Sequence, residues 1–338
     1  MIECKREPLT FVRRCEDTRE NYYRLNTSDH EIPPHVRFVV TPGTVVTLRS
    51  VDPEYHGAYP SRESVAPEVR LYAHKIDELQ YIMHAEKKHS LLIVFQSIDA
   101  GGKDGVVRHL MTTMNPAGCR VTAFRQPTAL ESGHDFLWRV HAHAPIKGSI
   151  AIFNRSHYED VLTARVNNLV TPDRWSNRYG LINDFERLLI LDNNTTILKF
   201  FLHISQEEQL LRFKQRLDDP SRRWKISECD YRERAHWNSY TDAFEDMLTK
   251  TSTREAPWFI VPANKRWYRD LVVTQIIAHT LENLDMKVPE PAVDITHIRH
   301  EYYLAERSAK RNNESLGFST PFTAAADRRS GKSFESLF

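Results

Sequence analysis

Residues 97–103 read Ser-Ile-Asp-Ala-Gly-Gly-Lys, and those residue types in that order suit the holding of phosphate. Glycines let successive backbone N–H groups turn inward as an anion nest, and a terminal lysine adds a full positive charge. An unbroken apolar run over residues 91–95 (LLIVF) precedes the loop, and a segment carrying Val106, Val107 and Leu110 at helical spacing follows it. Strand, glycine-containing loop, lysine and helix together make a phosphate cradle, with the helix N-terminus adding its positive dipole end. Against the pattern G-x-x-x-x-G-K-[ST], Gly102 and Lys103 fit, Ser97 replaces the first glycine, and Asp104 replaces the hydroxyl residue. Taken by itself the stretch also reads as a glycine-rich turn between a strand and a helix.

Asp99 stands inside this loop, where its charge repels phosphate unless a cation intervenes. A Mg²⁺ bridging the carboxylate and phosphate oxygens removes that conflict; the alternative is a turn aspartate bonded to its own backbone. Further polar groups follow other apolar runs, at the strand ends where ligands gather in open α/β sheets. Arg125 follows residues 119–124, Asn154, Arg155 and Glu159 follow 149–153, and Arg212 and Arg216 lie on a helix after 197–204. Asn154 occupies the place of the usual metal-binding acid but offers no charge, which leaves Asp99 as the main metal anchor. Arg155, Arg212, Arg216, Arg222, Arg223 and Lys225 form a basic cluster suited to a transferred phosphoryl group. Its competing reading is a solvated helix with ion pairs to Glu207, Glu208 and Asp218. Trp224, Trp237 and Trp258 suit base stacking or, more commonly, core packing.

The elements that must position these groups are legible as apolar runs. Five of them, at 91–95, 119–124, 149–153, 197–204 and 258–261, alternate with helical patterns, which predicts an α/β fold. Its sheet is mostly parallel and covered by helices on both faces. Helices are expected between Pro67 and Lys88, at 135–144, at 175–191, from the Ser205/Glu208 cap to about 217, at 228–250 and at 267–284. Residues 206–250 would then form a helical lid that includes the exposed basic loop at 218–225. Residues 37–48 (RFVVTPGTVVTL) read as two short extended pieces around Pro42-Gly43. Residues 1–36 read as an N-terminal extension, 37–286 as the folded domain, and 287–338 as a poorly ordered tail.

Composition narrows the function class. The chain has 338 residues and a formal net charge of only +1, so it does not read as a nucleic-acid binder. No run reaches membrane-spanning length, and the charged N-terminal stretch lacks a signal-peptide core, which points to the cytoplasm. Cys4, Cys15, Cys119 and Cys229 show no metal-site spacing and read as reduced thiols. His134, His141 and His143 have no Cys or carboxylate at ligand spacing and read as a partly solvated helix.

Three segments together resemble the polyphosphate kinase 2 family: Asp99-Ala-Gly-Gly-Lys-Asp104, Phe153-Asn-Arg-Ser-His-Tyr-Glu-Asp160, and Phe213-Lys-Gln-Arg-Leu-Asp-Asp-Pro220 with Trp224-Lys225. His134-Asp-Phe-Leu-Trp-Arg139, Pro257-Trp258 and Lys265-Arg-Trp-Tyr-Arg269 support the likeness, which spans roughly residues 38–284. The resemblance implies a P-loop kinase-like three-layer fold and Mg²⁺-dependent transfer of the terminal phosphoryl of polyphosphate to AMP or ADP, with Mn²⁺ as a substitute metal. By that resemblance Asp99, Lys103, Arg155 and Arg212 are catalytic, and Asp99 is the metal ligand. Ala100, Gly101, Gly102, Asp104, Asn154, Glu159, Arg216 and Lys225 hold nucleotide and phosphate. Lys103, Arg108 and Arg125 are the candidates for binding polyphosphate. The Asn-Arg-Ser-His-Tyr-Glu form looks like the branch that accepts both AMP and ADP, with GMP and GDP as further acceptors. Homodimers or homotetramers are implied as well. Two rivals stay open at this point: an ATP-dependent nucleoside monophosphate kinase, and a non-catalytic nucleotide-binding regulator.

Overall fold

The fold was read from a computed structural model, which describes residues 32–315. The longer helices are α1 (Arg62–Glu86), α2 (Lys103–Met111), α3 (Glu159–Val166), α4 (Pro172–Asn193), α5 (Gln206–Asp218), α6 (Glu228–Ala235), α7 (Trp237–Thr251), α8 (Arg266–Glu282) and α9 (Ile295–Ser315). Five strands, β1 (Ser90–Gln96), β2 (Cys119–Ala123), β3 (Ile150–Asn154), β4 (Thr195–His203) and β5 (Trp258–Pro262), form one sheet in the order β2-β3-β1-β4-β5. Every pairing between them is parallel.

Side-chain alternation explains why the apolar runs are unbroken. Leu91, Ile93 and Phe95 of β1 face one core with Ile76 and Met83 of α1, Val106 and Leu110 of α2, and the apolar face of α8. Leu92 and Val94 face the opposite core with Ile182, Phe185 and Leu189 of α4 and Phe244 and Met247 of α7. A strand covered on both faces has no solvent side to carry polar residues, so period-two patterning vanishes. All seven residues of β1 are buried. The phosphate loop therefore leaves the central strand of the sheet.

The strands fall where the apolar runs place them, but several helices differ from expectation. α1 starts at Arg62, ahead of Pro67. The Ser64 hydroxyl donates to the Ser61 carbonyl at 2.6 Å and accepts from its N–H at 3.4 Å, starting the helix before the proline. The helix expected over 135–144 shrinks to Trp138–His141. Asp135 accepts the Leu137 N–H at 3.0 Å and the Trp138 N–H on its carbonyl at 3.1 Å, holding a turn instead. The single helix expected over 228–250 breaks at His236, which ends α6 and opens α7.

Of the two extended pieces expected at 37–48, the first adds one antiparallel bridge, Val39 to Phe259, at the edge of β5. The second forms no strand, because α7 side chains take its donors. The Val46 N–H bonds Thr249 Oγ1 at 3.0 Å and the Leu48 N–H bonds Glu245 at 2.7 Å.

The chain divides after Val288 into two compact units. In the second, Ile295–Ser315 is helical where a poorly ordered tail was expected. The expected extension at 1–36 lies mostly outside the described residues, and its end, Pro34–Arg37, is a helical turn. Cys119 and Cys229 are free thiols, while Cys4 and Cys15 lie outside the described residues. Among the described residues no helix is long and apolar enough to cross a membrane.

Candidate active site

The loop after β1 closes on its own lysine. Lys103 Nζ donates to the Ser97 carbonyl at 2.8 Å and to Ser97 Oγ at 3.0 Å, and the side chain is buried. Burial, and secondarily the nearby Arg155 charge, lower its pKa. The nearby carboxylates of Asp99, Glu159 and Asp104 oppose that shift only in part, and an anion arriving in the nest would favour the charged form further. Ser97 also explains Gly101, since a Cβ there would fall 2.4 Å from Ser97 Oγ. Gly102, the N-cap of α2, sits at φ +105, and a Cβ there would fall 2.3 Å from Arg269 Nη1.

Two non-glycine residues at this site also adopt left-handed backbone, Ala100 at φ 60 and Arg155 at φ 63. Such a conformation costs about 1–3 kcal/mol and persists only where its surroundings enforce it. At Ala100 the enforcing groups are visible. Arg212 Nη1 holds the Ala100 carbonyl at 2.9 Å, and Gln209 from the same helix holds the Asp99 carbonyl at 2.9 Å.

β3 delivers its end groups opposite the loop. Arg155 Nη2 pairs with Asp99 Oδ1 at 2.8 Å, and Asn154 donates to Asp104 Oδ1 at 2.9 Å. Burial opposes the Arg155 charge, but Glu159, Asp99, Asp104 and Asp230 outweigh it and raise its pKa. The lid reaches the same place. Lys225 Nζ pairs with Asp104 Oδ2 at 3.1 Å, and Arg216 pairs with Asp230 of α6 at 3.3 Å. Burial tends to raise the Asp104 pKa, but Asn154 and Lys225 bring it below its ordinary value. Burial and the neighbouring Asp99 carboxylate push Asp230 upward.

Beside these groups opens a cavity of about 1050 Å³, lined by Asp99, Arg125, Arg155 and Glu159 and closed on the lid side by Asp230 and Arg232. Its lining also holds an aromatic–cation pair, with the Arg178 guanidinium 4.7 Å above the Phe136 ring.

The family model described as Polyphosphate kinase 2 (PPK2) matches residues 60–289, about two thirds of the chain. The chain belongs to the polyphosphate kinase 2 family. It is 45% identical over 256 residues to an AMP/ADP-polyphosphate phosphotransferase of Meiothermus ruber, covering 75% of this chain and 96% of that protein. An ADP-polyphosphate phosphotransferase of Rhodopseudomonas palustris is 40% identical, over 75% of this chain and 92% of its own length. The crystal structure of polyphosphate kinase 2 from Arthrobacter aurescens TC1 superposes with a TM-score of 0.77 at 38% identity, covering 82% of this chain and 98% of that one.

The expected site residues do not all share one surface. Asp99, Arg155, Glu159 and Arg125 line the cavity, whereas Arg108 is exposed on α2 and does not line it, so the two arginines expected to bind polyphosphate are separated. Arg212 is not a free cation. It is 4% exposed, its Nη2 bonds the Ala263 and Asn264 carbonyls at 2.6 and 3.2 Å, and its Nε bonds Glu208 at 2.6 Å. Burial lowers its pKa to about 10. Its position is that of a brace behind the loop. Trp258 is core, with its indole N–H on Thr251 Oγ1 at 2.9 Å, and it cannot stack a base.

Sequence reasoning missed Arg269 as a site residue, although its segment was part of the family likeness. Arg269 is 2% exposed, bonds the Gly102 carbonyl at 3.2 Å and pairs with Asp270 at 2.6 Å. Asp230 was missed too, because Ser227-x-x-Asp230 reads only as a helix cap, which it also is.

Among the described residues no group of three or more His, Cys, Asp or Glu side chains can hold a metal. The carboxylates of Asp99 and Asp230, which line the same cavity, are hard oxygen donors. They suit a divalent cation that takes its remaining ligands from phosphate and water.

Proposed function

We propose that this chain transfers the terminal phosphoryl group of inorganic polyphosphate to AMP or ADP. The observation that carries the reading is the Asp99–Arg155 pair, which lies between a lysine-closed phosphate loop and a nucleotide-sized cavity. Polyphosphate is a uniform polyanion, so its site requires charge rather than shape. The loop N–H nest, Lys103 and the lid cations Arg216 and Lys225 supply it. The cavity takes the acceptor, with Arg125 and Arg155 suited to its phosphate and the Phe136 and Arg178 pair to its base.

Phosphoryl transfer of this kind is an in-line displacement that asks mainly for positioning and charge neutralisation. The acceptor oxygen is already ionised near neutral pH, so no general base is needed. Arg155 stands where charge develops on the transferred group and can exchange Asp99 for phosphate oxygens at little geometric cost. Asp99, with Asp230 behind it, is the holder proposed for Mg²⁺ or Mn²⁺. Bound there, the metal would neutralise phosphate oxygens and remove the repulsion between the two carboxylates. Closure of α5 to α7 excludes water, with Lys225 on Asp104 as the lid's contact with the loop helix.

The test is incubation with polyphosphate, Mg²⁺ and either AMP or ADP, without ATP. ADP from AMP, or ATP from ADP, is expected, and no product above background would sink the proposal. Replacing polyphosphate by ATP with AMP as acceptor separates the rival monophosphate kinase, which would turn over only in that arm.

A further inference from the structure

Below the Asn154-Arg155 turn lies a charged network that water does not reach. Lys199 of β4 is 0% exposed and Glu186 of α4 is 1% exposed. Lys199 Nζ donates to Glu186 Oε2 at 2.6 Å, to the Tyr158 hydroxyl at 3.1 Å and to the Thr251 carbonyl at the end of α7 at 2.6 Å. The other Glu186 oxygen takes two consecutive residues of the turn, the Tyr158 hydroxyl at 2.7 Å and His157 Nε2 at 3.3 Å. Both His157 and Tyr158 are fully buried, so neither half of this part of the family motif can touch substrate.

A buried ion pair is a poor device for stability, because desolvation offsets its attraction and a packed apolar pair often does as well. Its value here is geometric. Arg155 sits two residues before His157 at a left-handed φ of 63, a conformation that a free turn would abandon. Ser156, between them, is buried with its Oγ 3.0 Å from the Gln96 amide at the end of β1. The turn is thus fixed to β1, β4, α4 and the end of α7 at once.

We infer that Glu186 and Lys199, acting through Tyr158 and His157, are positioning residues that hold Arg155 in its left-handed backbone and so keep its guanidinium on the reacting phosphate. The inference rests on the phosphotransferase reading for its kinetic part only. In wild type and variants, kcat, KM for both substrates, melting temperature and the crystal structure are measured. Tyr158→Phe removes the hydroxyl that links the turn to the pair and leaves the pair itself intact. It is expected to lower kcat about tenfold or more, the scale of a small misplacement of a reacting group, with both KM values within about twofold.

Glu186→Gln with Lys199→Met removes both charges at similar volume. It is expected to keep a wild-type melting temperature while losing kcat to the same degree, a separation that a purely structural role would not give. In crystals of either variant Arg155 should leave its positive φ and its contact with Asp99. Unchanged kcat with Arg155 still paired to Asp99 would overturn the inference. If the wild type transfers nothing from polyphosphate, the functional reading fails, and the position of Arg155 in the variant crystals still decides the inference.

Discussion

At the scale of single residues the cations of this site divide by what they hold. Lys103 holds only Ser97 and is free to trade that partner for phosphate, whereas Arg212 is already committed to Glu208 and three backbone carbonyls. Opposite outcomes follow. Lys103→Ala should lower kcat by about 100-fold or more, as loss of a charged donor to the transferred group does, with little change in the urea midpoint. Arg212→Ala strands the half-buried Glu208 partner and three carbonyls and should cost about 3 kcal/mol in urea unfolding. Arg212→Lys should not rescue it, because an ammonium cannot reproduce the fork. Equal stability of Arg212→Ala and wild type would remove Arg212 from its role as brace. The basic cluster was readable as charge from the sequence, but which member was braced and which free was not. That depends on carbonyls from residue 100 and from residues 263 and 264, two stretches far apart along the chain.

At the scale of elements, the turn Pro34–Arg37 docks on α8 through a pair of imidazoles. His35 stacks on His279 with ring centroids 3.7 Å apart, and burial followed by repulsion from His279 lowers the His35 pKa from 6.5 to about 4. Between those values the unfolded chain takes up a proton that the folded one refuses, so stability is lost as pH falls from 6.5 towards 4. The melting temperature should drop across that window, and His35→Phe, which keeps the stacked ring without the titration, should flatten the drop. An equally steep drop in the variant would assign the acid sensitivity elsewhere. None of this docking was visible in the sequence, where the segment reads only as the end of a charged extension. Strands β1, β3 and β5 were visible as apolar runs too short for a buried helix, whereas β2 carries Arg120 and Thr122 and is largely exposed at the edge of the sheet. Helix ends were less visible. A turn at Asp135 and a break at His236 are decided by local hydrogen bonds that the amphipathic pattern does not record.

At the scale of the whole molecule, the sheet order places β1 centrally with β3 beside it, which brings the loop lysine and Arg155 to one end of adjacent strands. The lid, α5 to α7, is tied to that end by contacts from Gln209, Arg212 and Lys225. We place the catalytic domain at 37–286 and assign the residues beyond Val288 no part in the chemistry, since the chain divides there into separate units. Deletion of residues 289–338 should therefore leave kcat for polyphosphate-dependent transfer within about twofold, as for a domain with its own core. A larger loss would place part of the working enzyme in the second unit.

The sequence by itself determined the parallel α/β class, the phosphate loop and the kind of chemistry, because these rest on local pattern: apolar runs, two glycines before a lysine, and motifs of known family likeness. Only the tertiary structure decided how the charges are used. It turned Arg212 and Arg269 inward against the loop, buried His157 and Tyr158 on Glu186, and brought Asp230 to the cavity that Asp99 lines. A charged side chain reads the same in sequence whether it faces water, a carbonyl or a substrate, and its role follows from which of these the fold places before it.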